Sequence, residues 1–131
     1  MSNVFEARAD TTKNRLYIRI SGYFTDEEAE SAANKAIAEI TKLKSGFTVI
    51  SDYRGLKPTT PKGTEQLFRA MEFMNKHGQR RGIQVVSEEE AVAKMQLDRM
   101  NAKAGFTNKQ ENIASSVAEA EQILDRLFPN G

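Results

Sequence analysis

The sequence predicts a single α/β domain over residues 1–131, with a mostly parallel sheet of about four to five strands and about four helices. Two observations carry this prediction. A chain of 131 residues has the length of one ordinary domain. After a pair of N-terminal strands, short β-branched segments alternate with longer segments of helical periodicity. Such alternation is typical of parallel strands joined by helical crossovers.

The N-terminal segment predicts a β-hairpin. Residues 4–9 mix apolar and charged side chains and indicate a first strand. Leu16, Ile18 and Ile20 then alternate with polar residues, and this period of two predicts a half-buried second strand. Residues 10–14 are rich in turn formers, so the two strands are expected to pair through a turn.

The first helix is predicted from its cap. Thr25 and Glu28 form a capping box, in which each side chain accepts from the other residue's backbone amide. Gly46 is the expected helix stop. The helical face to be buried contains Ala29, Ala32, Ala33, Ala36, Ile37, Ile40 and Leu43.

The remaining elements follow from similar signals. Residues 47–51 predict a central strand, and Thr60 before Pro61 predicts a helix that ends at His77 and Gly78. Next come a strand at 83–86 and a helix that is capped by residues 87–90 and carries the stripe Ala93, Leu97, Met100 and Ala104. The chain then continues with a short strand near Ile113 and a helix capped by Ser116. The predicted core places Ile18, Ile20, Val49, Ile50, Ile83 and Val85 against Ile37, Ile40, Leu67, Met71, Leu97 and Leu124.

Composition excludes several classes of function. Nineteen basic and eighteen acidic residues give a net charge of +1, which favours neither nucleic acid nor an anionic membrane. No apolar run reaches the ~20 residues of a transmembrane helix. The N-terminus lacks the apolar core of a signal peptide, and cysteine is absent, so we expect a cytoplasmic protein. A single histidine and the lack of phosphate- or dinucleotide-binding motifs predict no metal, no cofactor and no enzyme.

The most suggestive segment follows the central strand. It offers Asp52, Tyr53, Arg54 and Lys57 at the carboxyl end of that strand, where open α/β sheets usually bind ligands. The amides that open the next helix favour anions. We therefore expect a carboxylate or phosphate group to bind here, held mainly by the fork of Arg54. The structural alternative is that Asp52 pairs with Arg54 and Tyr53 packs inside.

Three segments carry a resemblance to a known family: residues 16–22, 47–52 and 112–120. In the order of their elements they resemble the anti-sigma-factor-antagonist (STAS) family, especially its SpoIIAA-like branch, which also resembles the CRAL-TRIO lipid-binding fold. The resemblance implies a binding domain for a protein partner or for a small acidic or lipid-like ligand. Where phosphoswitch members carry a serine, this chain has residues 58–64, with Thr59 and Thr60. We therefore expect binding at this segment without the phosphoswitch.

The sequence leaves two other classes of function open. One is a structural dimerisation module, since a homodimer fits the sequence as well as a monomer does. The other is an enzyme, which would need titratable groups converging from several loops.

Overall fold

The computed structural model describes residues 3–87, 95–96, 98–99, 102–103 and 113–129. The helical stripe predicted at Ala93, Leu97, Met100 and Ala104 lies outside these residues. In the described part, the strands are β1 (Val4–Asp10), β2 (Arg15–Ser21), β3 (Thr48–Asp52), β4 (Arg81–Val85) and β5 (Ile113–Ala114), and the helices with defined bounds are α1 (Asp26–Ile40), α2 (Pro61–His77) and α3 (Val117–Leu127).

The five strands form one sheet in the order β1-β2-β3-β4-β5. β1 and β2 are antiparallel, whereas β2, β3, β4 and β5 run parallel. The predicted α/β class, N-terminal hairpin and mostly parallel sheet are thus confirmed. β3 is the central strand, and all five of its residues are buried.

Helix α1 begins as predicted but ends earlier. Glu28 and Thr25 make both hydrogen bonds of the capping box. The helix ends at Ile40 with Thr41 as its C-cap, so the predicted stop at Gly46 is wrong. The side chain of Asn14 pairs with both the amide and the carbonyl of Lys44, at 2.9 and 3.1 Å, which fixes the chain in a non-helical path towards β3.

The core has two layers, one on each face of the sheet. The six predicted sheet residues are all buried, as are Ile40, Met71 and Leu124. Ile37 and Leu67 are only partly buried, so the prediction placed them too deep, and Leu97 lies outside the described residues. On α1 the alanines take the central contact positions, which leaves Ile37 at the edge.

Helix α2 shows how the predicted boundary residues act. The Thr60 hydroxyl accepts from the amide of Gly63 at 3.0 Å, and Gly78 ends the helix with a φ of 100°. His77 in the last turn donates from Nε2 to the carbonyl of Leu43 at 2.7 Å and stacks on Phe73. The single histidine of the sequence therefore has a structural role. Among the described helices, none has both the length and the apolar character needed to cross a membrane.

Candidate functional site

The sheet face that carries α3 is organised in cross-strand rows. Alternate residues of neighbouring strands lie side by side on this face, because side chains in a strand point alternately to the two faces. Across β1, β2 and β3, cover by α3 decreases from the amino ends of the parallel strands to their carboxyl ends: Arg15 donates to Glu121 and Asp125 of α3, whereas Arg19 and Arg54 are exposed. In that direction the rows across β1, β2 and β3 are Asp10–Arg15–Thr48, Arg8–Tyr17–Ile50 and Glu6–Arg19–Asp52.

An open cleft occupies the carboxyl end of this face. Helix α3 packs on β3, β4 and β5 and leaves much of the face of β1 and β2 uncovered. The cleft has a volume of about 420 Å³, within the range of small-molecule sites. Its lining combines cations, acids and apolar side chains: Glu6, Arg8, Tyr17, Ile18, Arg19, Ile50, Asp52, Arg54 and Val117.

Asp52 and Arg54 meet in the cleft as a bidentate ion pair. Arg54 Nε donates to Asp52 Oδ1 at 3.0 Å and Nη2 to Oδ2 at 2.8 Å, and the Arg54 amide donates to Oδ1 at 3.1 Å. Burial alone would raise the pKa of the Asp52 carboxyl, but these hydrogen bonds and the charge of Arg19 hold it below its usual value. Asp52 is therefore ionised at neutral pH. The fork of Arg54, expected to hold a ligand, holds Asp52 instead.

Tyr53 lies at the carboxyl edge of the sheet, but its side chain leaves the cleft. Strand alternation sends residue 53 to the face opposite Asp52, where it is only 8% exposed and packs beneath α1 and α2. Burial raises the pKa of its phenol, and a hydrogen bond with Ser51 partly offsets that shift. The expectation that Tyr53 belongs to the binding surface is thus at odds with its position in the core.

The chain after Arg54 is fixed to the end of β2. The amide of Gly22 donates to the carbonyl of Gly55 at 2.8 Å, and the amide of Lys57 donates to the carbonyl of Gly22 at 3.0 Å. This turn carries the exposed Lys57 outside the cleft lining. The segment therefore forms a rim of the cleft that is held in place by hydrogen bonds to the end of β2. Of the site residues predicted in this segment, Asp52 and Arg54 enter the cleft.

Thr59 and Thr60 serve the start of α2. The Thr59 hydroxyl shares a 2.7 Å hydrogen bond with that of Thr64, and its amide donates to Gln96 Oε1 at 3.0 Å. The Thr60 hydroxyl caps α2 and donates to the Asp26 carboxylate at the start of α1. Neither threonine lines the cleft, so the structure separates them from Asp52 and Arg54.

Two cleft cations were not predicted from the sequence. The guanidinium of Arg8 lies 4.4 Å from the centre of the Tyr17 ring, and Arg19 sits between Glu6 and Asp52 in the outer row. Both residues are exposed. Their only signal in the sequence is that they alternate with apolar residues in the hairpin, a pattern that any solvent-facing strand surface shows.

At the amino end, α3 closes the same face over a buried arginine. Arg15 is fully buried and donates from Nη1 to Glu121 at 2.7 Å and to Asp125 at 3.0 Å. The Tyr17 hydroxyl donates to the same Glu121 oxygen at 2.7 Å. Burial and the neighbouring carboxylate raise the pKa of Tyr17 to about 12. Partial burial opposes ionisation of Glu121, but the bonds from Tyr17 and Arg15 lower its pKa.

The arrangement in the cleft is suited to holding an anion through guanidinium groups. Within the described ranges, no group of three or more histidine, cysteine, aspartate or glutamate side chains is placed to bind a metal ion. Comparison of the sequence with protein-family models and with curated proteins found no match. The resemblance to the STAS family therefore stays a prediction.

Proposed function

We propose that the protein is a non-enzymatic, cytoplasmic, STAS-like binding domain whose cleft recognises an anionic group. That group belongs to a small acidic ligand or to an acidic side chain of a protein partner. The observation that supports this most directly is the convergence of Arg8, Arg19 and Arg54 on one open cleft. Guanidinium groups bind carboxylates and phosphates through paired hydrogen bonds.

In this proposal the three arginines have different tasks, which their contacts inside the cleft support. Arg54 neutralises Asp52, and Arg8 lies over the Tyr17 ring. Arg19 occupies the middle of the outer row, with a carboxylate on each side of it. An incoming anion would meet Arg19 first, so Arg19 is the residue on which we expect affinity to depend most. Arg54 contributes mainly by offsetting the charge of Asp52.

The rim of the cleft is preorganised. Besides the hydrogen bonds of Gly22 with Gly55 and Lys57, a parallel bridge joins Gly22 to Leu56. A braced rim loses little conformational entropy when a ligand binds, and less of the binding free energy is then spent on ordering.

A lipid-like ligand receives less support than a small acid. The apolar cavity beneath α1 and α2, which Tyr53 lines, has a volume of about 30 Å³. A space of that size has room for about one water molecule and none for an acyl chain. The larger space is the mixed, charged cleft on the opposite face.

The proposal is tested by anion titration of ¹⁵N-labelled protein at constant ionic strength. Sodium acetate, exchanged against sodium chloride, should shift the amide resonances of Arg19, Asp52 and Arg54. Arg19→Ala should weaken this binding by about ten-fold, since a hydrogen bond to a charged group contributes about 1.5–3 kcal/mol.

Arg69→Ala is the matched control. It also removes one positive charge, but Arg69 lies on α2, on the opposite side of the sheet, where it bonds to Asn34. If both variants weaken binding by the same factor, affinity reflects net charge alone and the cleft is not the site.

A further inference from the structure

We infer that the edge of β1 binds the same edge of a second copy of this chain, and that Glu39 of α1 limits this pairing. The inference does not depend on the proposed anion binding. It rests on three features of β1: its place at the end of the sheet, the direction of its backbone groups, and the order of its charges along the strand.

Backbone groups of β1 point away from the sheet. Among the described strands, β1 stands at one end of the order and pairs with β2 alone. In an antiparallel pair, residues that bond to the neighbouring strand alternate with residues that do not. The amide of Ala9 donates to Glu39 Oε1 at 3.0 Å, so it points away from β2. By alternation, the amides and carbonyls of Phe5 and Ala7 point outward too, and such a row is a template for another strand.

The charges of β1 select one register for two identical strands. In a sheet that continues across a two-fold axis, opposite residues have side chains on the same face, so one residue lies opposite its own copy. With Ala7 at that position, Glu6 lies opposite Arg8 of the second copy, and symmetry repeats the contact. A shift by one residue places Glu6 opposite Glu6 or Arg8 opposite Arg8, which is destabilising. Larger shifts leave less than half of β1 paired.

The backbone of β1 favours the same register. The outward residues Phe5, Ala7 and Ala9 then fall opposite Ala9, Ala7 and Phe5 of the second copy, which is the arrangement of hydrogen-bonded pairs. Glu6 and Arg8 fall in the pairs without backbone hydrogen bonds, where opposite side chains lie closest. Both side chains are exposed, and within the described ranges neither forms an ion pair.

The other face of β1 supports the pairing through size. Phe5 and Ala9 are partly buried and pack against the core layer beneath α1. In the register centred on Ala7, the large ring of Phe5 lies opposite the small side chain of Ala9 at both ends of the interface. Each ring would therefore be covered further by the second copy without a steric conflict across the strands.

Glu39 holds one end of this edge. Its carboxylate accepts from the amide of Ala9 and also binds Lys42. In the pair, that amide would donate to the carbonyl of Phe5 in the second copy, so the carboxylate occupies the place of an incoming carbonyl. Charged side chains at sheet edges commonly restrict pairing with other chains. Glu39 therefore weakens the pairing at its two ends and leaves the central Ala7 accessible.

The test uses two charge reversals, Glu6→Arg and Arg8→Glu, and sedimentation velocity over a wide range of protein concentration. The parent protein should dimerise. Each variant alone sets like charges opposite each other twice, and its dimer should be at least roughly ten-fold weaker. An equimolar mixture of the two variants should associate as the parent does, because every facing position again carries opposite charges. Recovery in the mixture also shows that both variants are folded.

Glu39→Ala tests the restriction. It frees the amide of Ala9, and its dimer should be roughly ten-fold tighter than that of the parent. Glu30→Ala is the matched control, since it removes one negative charge from an exposed position of α1 and should leave the dimer unchanged. Equal effects of the two variants would contradict the role of Glu39.

Two results would overturn the inference as a whole. One is a dimer that neither charge reversal weakens, or that the mixture does not restore, because such a dimer would use another surface. The other is a monomer at every concentration in both the parent and Glu39→Ala, since the edge would then not bind its own copy even when it is uncovered.

Discussion

The amino and carboxyl ends of one sheet face both carry ion pairs between arginine and carboxylate side chains, but the two ion pairs have different surroundings. At the amino end, Arg15 is fully buried and bound to Glu121 and Asp125 of α3. At the carboxyl end, Arg54 binds Asp52, yet its side chain remains 46% exposed. The difference lies in the cover: α3 crosses the first region and leaves the second open.

This difference decides what each ion pair contributes. Charges excluded from water interact strongly, and removal of one partner leaves an expensive uncompensated charge. Charges near the surface are screened, and their pairing stabilises the fold only slightly. The buried cluster therefore anchors a helix, whereas the cations of the open cleft remain exposed to solvent.

The largest effect is expected from Arg15→Ala. The variant truncates a fully buried side chain, which leaves a cavity, and it takes the shared cation from Glu121 and Asp125, which are 28% and 52% exposed. We expect the free energy of unfolding to fall by about 3 kcal/mol. Urea unfolding at neutral pH measures it. Arg19→Ala is the matched control, since Arg19 lies on the same strand and face but is exposed, and it should change stability by less than about 0.5 kcal/mol. If the two variants lose similar amounts of unfolding free energy, the buried and the exposed arginine do not differ in their contribution to stability.

A smaller effect on stability is expected when the pH is lowered. The pKa of Glu121 in the folded protein lies below its ordinary value of 4.5, so its contribution to stability is complete above that pH. The contribution disappears as the pH falls from about 4.5 through the lowered pKa, because the unfolded chain then takes up the proton more readily.

In Glu121→Gln, stability should therefore decrease less steeply as the pH falls, as followed by thermal melts between about pH 6 and 3. A residual slope should remain, since the pKa of Asp52 is lowered as well. An unchanged slope in Glu121→Gln would show that Glu121 is not stabilised in the folded state.

Arg54→Ala is expected to lower stability less than Arg15→Ala but more than the control variant Arg19→Ala. Asp52 keeps the hydrogen bond from the amide of residue 54 and the nearby charge of Arg19, so the loss should be only about 1 kcal/mol by urea unfolding. Acetate binding should weaken less than in Arg19→Ala. A loss as large as that of Arg15→Ala would place the Asp52–Arg54 pair among the buried anchors.

Local structure was largely predictable from the sequence, because its causes are local. The capping box of Thr25 and Glu28 acts within one helical turn, and Pro61 after Thr60 sets the start of α2. The alternation in β2 identified its buried face. The candidate site was predictable only in part: Asp52 and Arg54 enter the cleft, whereas the side chain of Tyr53 enters the core.

The sequence by itself determined the α/β class, the hairpin and most helix starts, since periodicity and capping depend on residues within a few positions of one another. Only the tertiary structure decided which charges are buried and which are offered to solvent. Arg15 and Glu121 are 106 positions apart, and Arg8 and Arg19 reach one cleft through strand register. Burial and electrostatics depend on what packs above a residue, and on this face that is the position of α3.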